Sequence, residues 1–165
     1  MAKIGNFHQG FYNPENPEKY VGDIKNIVYR SSWEKKFMKW ADRNTSVLKW
    51  GSEIFFIPYY SQVDETVRRY FPDFWIEQKC NDGKIRKFII EVKPYKERFP
   101  PAQPKRKTKK AMSRYLNELT TFQRNQNKWK YAKEFAKKHN MQFVVMDEYN
   151  LGIKKKNGWW TKKTC

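Results

Sequence analysis

Two short runs decide the fold, Arg69-Tyr70-Phe71-Pro72-Asp73-Phe74 and Glu91-Val92-Lys93-Pro94, with the turn Asn81-Asp82-Gly83 between them. Tyr70 to Lys79 and Ile85 to Lys93 are rich in aromatic and β-branched residues and are expected as two strands. Asn-Asp-Gly marks the hairpin, because glycine takes the left-handed conformation that closes a tight loop. Within a strand, residues two apart share a face, so Glu91 and Lys93 project together while Val92 enters the opposite, apolar side. Ile89 shares the parity of the charged pair, so that face is expected to become wet near the strand's end. Loop length then sets the partner of Glu91. A two-residue Asp82-Gly83 turn pairs Asn81 with Lys84 and puts Asp73 against Val92, on the wrong face. A three-residue Asn81-Asp82-Gly83 loop pairs Cys80 with Lys84 and puts Asp73 against Glu91. Loops of this class end on a left-handed residue, so Gly83 is expected at positive φ; another odd loop or a compensating bulge would also keep the shared face.

That register brings two carboxylates and one ammonium together. Like charges about 4 Å apart repel by roughly 4 kcal/mol at an effective dielectric of 20, and the repulsion must be offset. Lys93 can neutralise one charge. Two oxygen donors also suit a hard divalent ion such as Mg²⁺, which takes one or two carboxylates, water and substrate oxygens. Such an ion lowers the pKa of a bound water and polarises phosphorus, while Lys93 orients the water or stabilises developing negative charge. A bare Glu-x-Lys is common and alone reads as an exposed pair at a strand end.

Outward from this hairpin, Ser31 or Ser32 caps a helix expected over 32–43, where Trp33, Phe37, Trp40 and Ala41 recur on one face. Val47 to Trp50 and Glu53 to Tyr60 are expected as further strands. Pro94, Pro100, Pro101 and Pro104 make a stiff connector. A long helix is then expected over about 109–139, with Lys128, Lys130, Lys133, Lys137 and Lys138 on or near its wet surface, followed by a strand at Gln142 to Met146. Asp64 and Glu65 are taken as surface charges and His139 as a polar cap. The order predicts an α/β (α+β) fold, a mixed central sheet flanked by helices. With 165 residues, the chain is expected to form one domain over 1–165, with an irregular N-terminal arm at 1–29 and a basic tail at 151–165.

Aromatic residues make up 18% of the chain, so its core is expected to be built from rings more than from leucine. No apolar run approaches the roughly 20 residues that cross a bilayer, and the N-terminus lacks a secretory pattern. Cys80 and Cys165 are too few for a disulfide framework and are expected as thiols; with two histidines and no CxxC pair, structural zinc is set aside. The net charge is +18, unevenly spread: residues 1–97 carry +4 and residues 98–165 carry +14. A field of this sign concentrates polyanions, which makes nucleic acid the expected partner. The block Lys105, Arg106, Lys107, Lys109 and Lys110 is the candidate phosphate-contacting segment, against the alternative of a merely solvated or membrane-facing basic surface.

Pro72-Asp73, the hairpin and Glu91-Val92-Lys93 together resemble the PD-(D/E)xK nuclease superfamily. With Ser31-Ser32-Trp33-Glu34 opening the early helix, the chain resembles the transposon-end-cleaving endonucleases of heteromeric transposases, and more closely the small head completion nucleases of T-even-like tailed phages. The resemblance runs from about Tyr29 to Met146. It implies a restriction-endonuclease-like core and a Mg²⁺-dependent DNA nuclease, with Mn²⁺ as a substitute, acting where filled heads join tails. By the family pattern Asp73, Glu91 and Glu34 are metal ligands and Lys93 is the catalytic lysine; Glu34 is otherwise an acid placed favourably near a helix N-terminus. The implied partners are DNA and phage head or portal-vertex proteins, and the implied location is the host cytoplasm during assembly, with retention in the virion. The rival reading is a basic DNA-end-binding or head–tail adaptor that keeps the fold without turnover. No G-x-x-x-x-G-K-[ST] loop appears, which argues against an ATP-driven motor, and the two distant histidines argue against a histidine general base.

Overall fold

The computed structural model describes residues 9–154. At its centre stands a four-stranded mixed sheet in the order β3 (Val47–Ser52), β6 (Phe74–Lys79), β7 (Ile85–Val92), β8 (Gln142–Met146); β3–β6 and β6–β7 are antiparallel and β7–β8 is parallel. Two smaller antiparallel pairs flank it, β1 (Gly10–Phe11) with β2 (Val28–Tyr29), and the hairpin β4 (Ile57–Ser61) with β5 (Thr66–Tyr70). Helix α1 covers Ser32–Arg43 and helix α2 Lys109–Lys138. The expected mixed sheet with helices against it is therefore observed.

Each sheet face has its own core. On one, Phe37, Met38 and Ala41 of α1 pack with Trp50, Phe74, Ile76, Phe88 and Ile90. Rings dominate there: Phe37 stacks on Phe74 at 4.4 Å between centroids, and Trp50 meets Tyr20 edge-on at 4.7 Å. The other face joins Ile89 to Ile57, Tyr59 and Tyr70 of the β4–β5 hairpin and to Ala132 and Ala136 of α2.

This second core corrects the expectation of a wet face. Ile89 is 0% exposed and Glu91 3%. Strand β7 lies between β6 and β8 and is covered on both sides, the usual state of a strand paired in parallel through a helical crossover. A second correction concerns Tyr70 to Lys79, expected as one strand. The chain leaves β5 at Tyr70 and enters β6 at Phe74, because Pro72 has no N–H for a ladder and Phe71-Pro72-Asp73 forms the step between hairpin and sheet. The strand expected from Glu53 begins only at Ile57, and its partner Thr66–Tyr70 was not anticipated.

Residues 9–28 are mostly irregular and are tied to the end of α1. Buried Asp42 accepts hydrogen bonds from the Tyr12 hydroxyl (3.0 Å) and the Glu15 and Asn16 N–H groups (2.7 and 3.1 Å). Lys19 Nζ donates to the carbonyls of Ala41, Asp42 and Asn44 at 2.6–3.1 Å, where the helix dipole favours a cation. Cys80 is disulfide-bonded, not the thiol expected. No helix among the described residues is long and apolar enough to cross a membrane. The basic tail beyond Lys154, including Trp159 and Trp160, lies outside the described residues.

Candidate active site

The β6–β7 hairpin fixes the site. Its pairs run without a shift from Lys79 opposite Ile85 to Phe74 opposite Ile90. At the tip, the Cys80 N–H donates to the Lys84 carbonyl (2.8 Å) and the Gly83 N–H to the Cys80 carbonyl (2.9 Å), with Gly83 at φ 77°. This is the three-residue loop expected, and one further step along the same register sets Asp73 against Glu91. Asp73 lies just outside β6, and its Oδ2 accepts the Val92 N–H at 2.7 Å.

Glu91 is gripped at both oxygens. The Tyr70 hydroxyl donates to Oε2 at 2.6 Å, and Lys93 Nζ stands 3.4 Å from Oε1. Tyr70 closes the β4–β5 hairpin, so the element that buries Glu91 also supplies its hydrogen bond. Burial, reinforced by the charge of Glu91 and the bond to it, drives the Tyr70 hydroxyl far above its ordinary pKa and keeps it a donor. Asp73 is held well above the usual carboxylate range by burial first and by Glu91 second, with Lys93 and the Val92 N–H pulling the other way. Burial alone would lower Lys93, yet the charges of Glu91 and Asp73 outweigh it and hold the group above lysine's ordinary value. Lys93 is therefore an ammonium, suited to stabilising negative charge and unsuited to taking a proton.

Glu34 stands apart from this cluster. Ser31 caps α1 by accepting the Glu34 N–H (3.1 Å), and the Glu34 carboxylate accepts from the Ser31 hydroxyl (3.0 Å) and the Arg30 N–H (2.8 Å). This reciprocal cap follows from Ser31 and Glu34 being three apart at the helix start. The field of Glu34 still reaches Asp73 and raises its pKa. Among the described residues no three His, Cys, Asp or Glu side chains converge as a metal cage. Two carboxylates remain, sharing one lysine and crowded enough to perturb each other. That donor set fits a hard cation that completes its shell with water and substrate oxygens.

The basic block lies elsewhere. Lys105, Arg106 and Lys107 are exposed and irregular, Thr108 caps α2 by accepting the Ala111 N–H, and Lys109 and Lys110 occupy the first turn. At 1.5 Å per residue, Lys110 is roughly 27 Å along α2 from Lys128, which leans over the site with Nζ 5.6 Å from the centroid of the Tyr70 ring. Lys128 is half-buried, not one of the wet lysines expected. Asp64, expected as a surface charge, pairs with Arg68 Nε (2.7 Å) and Arg124 Nη2 (3.3 Å). The roles of Tyr70, Lys128 and this arginine pair at the site escaped the sequence reading; Tyr70 next to Phe71-Pro72, and Arg124 four residues before Lys128 on one helix face, were the available signals.

The family described as TnsA-like endonuclease N terminal matches residues 44–148. This chain belongs to the TnsA-like endonuclease family. The TnsA-like match spans β3 through β8 and so contains Asp73, Glu91, Lys93 and all of α2; Glu34 precedes it. The chain is also 41% identical over 144 residues to the head completion nuclease of Enterobacteria phage T4, covering 87% of this chain and 93% of that protein. The core is thus the restriction-endonuclease-like one expected, in a TnsA-like nuclease domain.

Proposed function

We propose that the protein, working as one domain, is a divalent-metal-dependent deoxyribonuclease that hydrolyses phosphodiester bonds of packaged DNA in phage head completion and head–tail joining. The observation that carries this reading is the apposition of Asp73 and Glu91 beside Lys93, inside a domain of an endonuclease family. The relative named a head completion nuclease supports the stage of action. The site belongs to the host cytoplasm during assembly, with head or portal-vertex proteins as neighbours and retention in the virion.

Asp73 and Glu91 would hold Mg²⁺, or Mn²⁺ in its place, while Glu34, apart from them at the cap of α1, would act on the site through its charge. The ion, when bound, supplies Lewis acidity and a more acidic water. The protein supplies the rest. The Val92 N–H fixes Asp73, Tyr70 fixes Glu91, and both carboxylates face the substrate already oriented. Lys93, charged and adjacent, places its ammonium where negative charge grows on the phosphoryl oxygens. Lys105 to Lys110 collect DNA at a distance: two lysines in the first turn of α2, with no acid there, oppose the helix dipole until an anion binds.

The direct test is incubation of the purified protein with supercoiled and linear DNA, with Mg²⁺ or with chelator, beside Glu91→Ala and Lys93→Ala. Cutting that needs the ion and is lost in both variants is the expected result. A Glu91→Ala protein that cuts at the wild-type rate overturns the assignment. A wild type that binds DNA and never cuts it returns the adaptor reading.

A further inference from the structure

Between the β4–β5 hairpin and α2 opens a cleft of about 590 Å³, lined by Tyr59, Arg68, Arg69, Arg124 and Lys128. Four of these five residues are cations. Asp64 is the carboxylate that meets them, bridging Arg68 and Arg124, while Arg69 lies over the Phe56 ring at 4.9 Å. Among the described residues no carboxylate ion-pairs with Lys128, and its ammonium rests above Tyr70, whose hydroxyl is bonded to Glu91. The cleft therefore abuts the candidate active site and carries about three unneutralised positive charges against its wall. Such crowding is unfavourable in the free protein and is relieved by a polyanion.

The helix extends the pattern. At 100° per residue, Lys110, Arg114, Arg124 and Lys128 fall within roughly 40° of one line along α2. Lys110 and Arg114 line a further groove of about 420 Å³ between α2 and the proline-rich connector at Ala102 and Pro104, with Arg114 paired to Glu118 at 3.0 Å. One helix face thus runs from the exposed basic block to the carboxylates.

We infer that Arg124 and Lys128, opposed across the cleft by Arg68 and Arg69, grip the DNA phosphates flanking the bond to be cut, as the inner end of a basic track along one face of α2. The inference rests on the nuclease reading for the phrase "bond to be cut" and on geometry for the grip itself. It assigns residues outside the metal-binding hairpin, and it separates two jobs: the block at Lys105 to Lys110 gathers DNA, and the cleft sets its position over Glu91 and Asp73.

The test reads binding in excess chelator, so that no cutting intrudes. Anisotropy of a labelled DNA duplex is measured across a salt series for the wild type, for Arg124→Gln with Lys128→Gln, and for Lys130→Gln with Lys137→Gln. The last pair removes the same charge from exposed positions on the opposite side of the same helix. For the cleft pair the slope of log affinity against log salt should fall by about 2, near 0.9 per lost phosphate contact. Affinity at moderate salt should drop about tenfold or more, while the control pair stays within about twofold of wild type. Arg124→Lys with Lys128→Arg, which keeps both charges and serves if the Gln pair folds poorly, should retain the wild-type slope. Equal losses from the cleft and control pairs, or an unchanged slope for the cleft pair, overturn the inference. The expected slopes in a protein that never cuts DNA with Mg²⁺ would sink the nuclease reading and leave the grip standing.

Discussion

Replacing Asp73 by asparagine should make the metal-free protein more stable while abolishing its nuclease activity. The amide oxygen can still accept the Val92 N–H that Asp73 accepts at 2.7 Å, so the step between β5 and β6 keeps its anchor. What disappears is the charge facing Glu91. Groups on directly opposed residues stand roughly 5 Å apart, and two unit charges at that distance repel by about 3 kcal/mol at an effective dielectric of 20. Lys93, 3.4 Å from Glu91, already offsets part of this, and the partial exposure of Asp73 screens more. A net gain of about 1–2 kcal/mol follows, or about 3–6 °C in melting temperature for a chain of this length. The pH dependence carries the sign. Burial first and Glu91 second raise the Asp73 pKa above its ordinary 3.8, so the folded state favours the protonated carboxyl. Stability from that source is full below 3.8 and is lost as pH rises through the raised value. The gap between Asp73→Asn and wild type should therefore be small near pH 4 and widen toward pH 8. Thermal denaturation in excess chelator across that range measures it. Added Mg²⁺ at pH 8 should then raise the wild type more than the variant, because the cation supplies the neutralisation that the amide no longer needs. A variant that melts at or below wild type at pH 8, or a gap that does not change with pH, would refute the reasoning.

Three further outcomes follow from the same geometry. Tyr70→Phe leaves Glu91 buried without its donor and should cost about 2 kcal/mol, the range for a hydrogen bond to a charged group; it should lower Mg²⁺ affinity or turnover by about 10- to 100-fold, read by chemical denaturation and by titration of cutting against Mg²⁺. Gly83→Ala puts a side chain at φ 77° with nothing within 4 Å of the new Cβ, so strain alone should destabilise by about 1 kcal/mol, seen as a lower urea midpoint at unchanged slope and unchanged cutting. Replacing Lys105, Arg106, Lys107, Lys109 and Lys110 by Gln should weaken DNA binding and flatten its salt dependence by as much as about 0.9 per residue; an unchanged slope would place the DNA elsewhere.

What was legible in the sequence is what is local to it. Asp73, Glu91 and Lys93 sit on one hairpin whose loop length follows from Asn81-Asp82-Gly83, so turn chemistry and alternation sufficed to set the two acids opposite each other, and the observed pairs keep that register. The helices were legible for the same reason, through Ser31 as a cap and through apolar residues recurring at helical spacing. The break at Pro72 was visible as a residue and missed as a consequence, because aromatic and apolar residues stand on both sides of Pro72-Asp73, at Tyr70-Phe71 and Phe74-Trp75-Ile76, and hide a change of sheet. The covering of Ile89 and Glu91 was out of reach. It depends on α2 and on the β4–β5 hairpin arriving from distant parts of the chain, and parity along β7 says which residues share a face without saying what lies over it. Lys128 shows the cost of that gap. On the helix alone it is one lysine among many; only the packing of α2 across Tyr70 sets it beside the carboxylates. The same packing that buries Glu91 carries Lys128 over Tyr70 and Arg124 into the adjoining cleft, and on the proposed reading sets both where phosphates flanking the bond to be cut would lie.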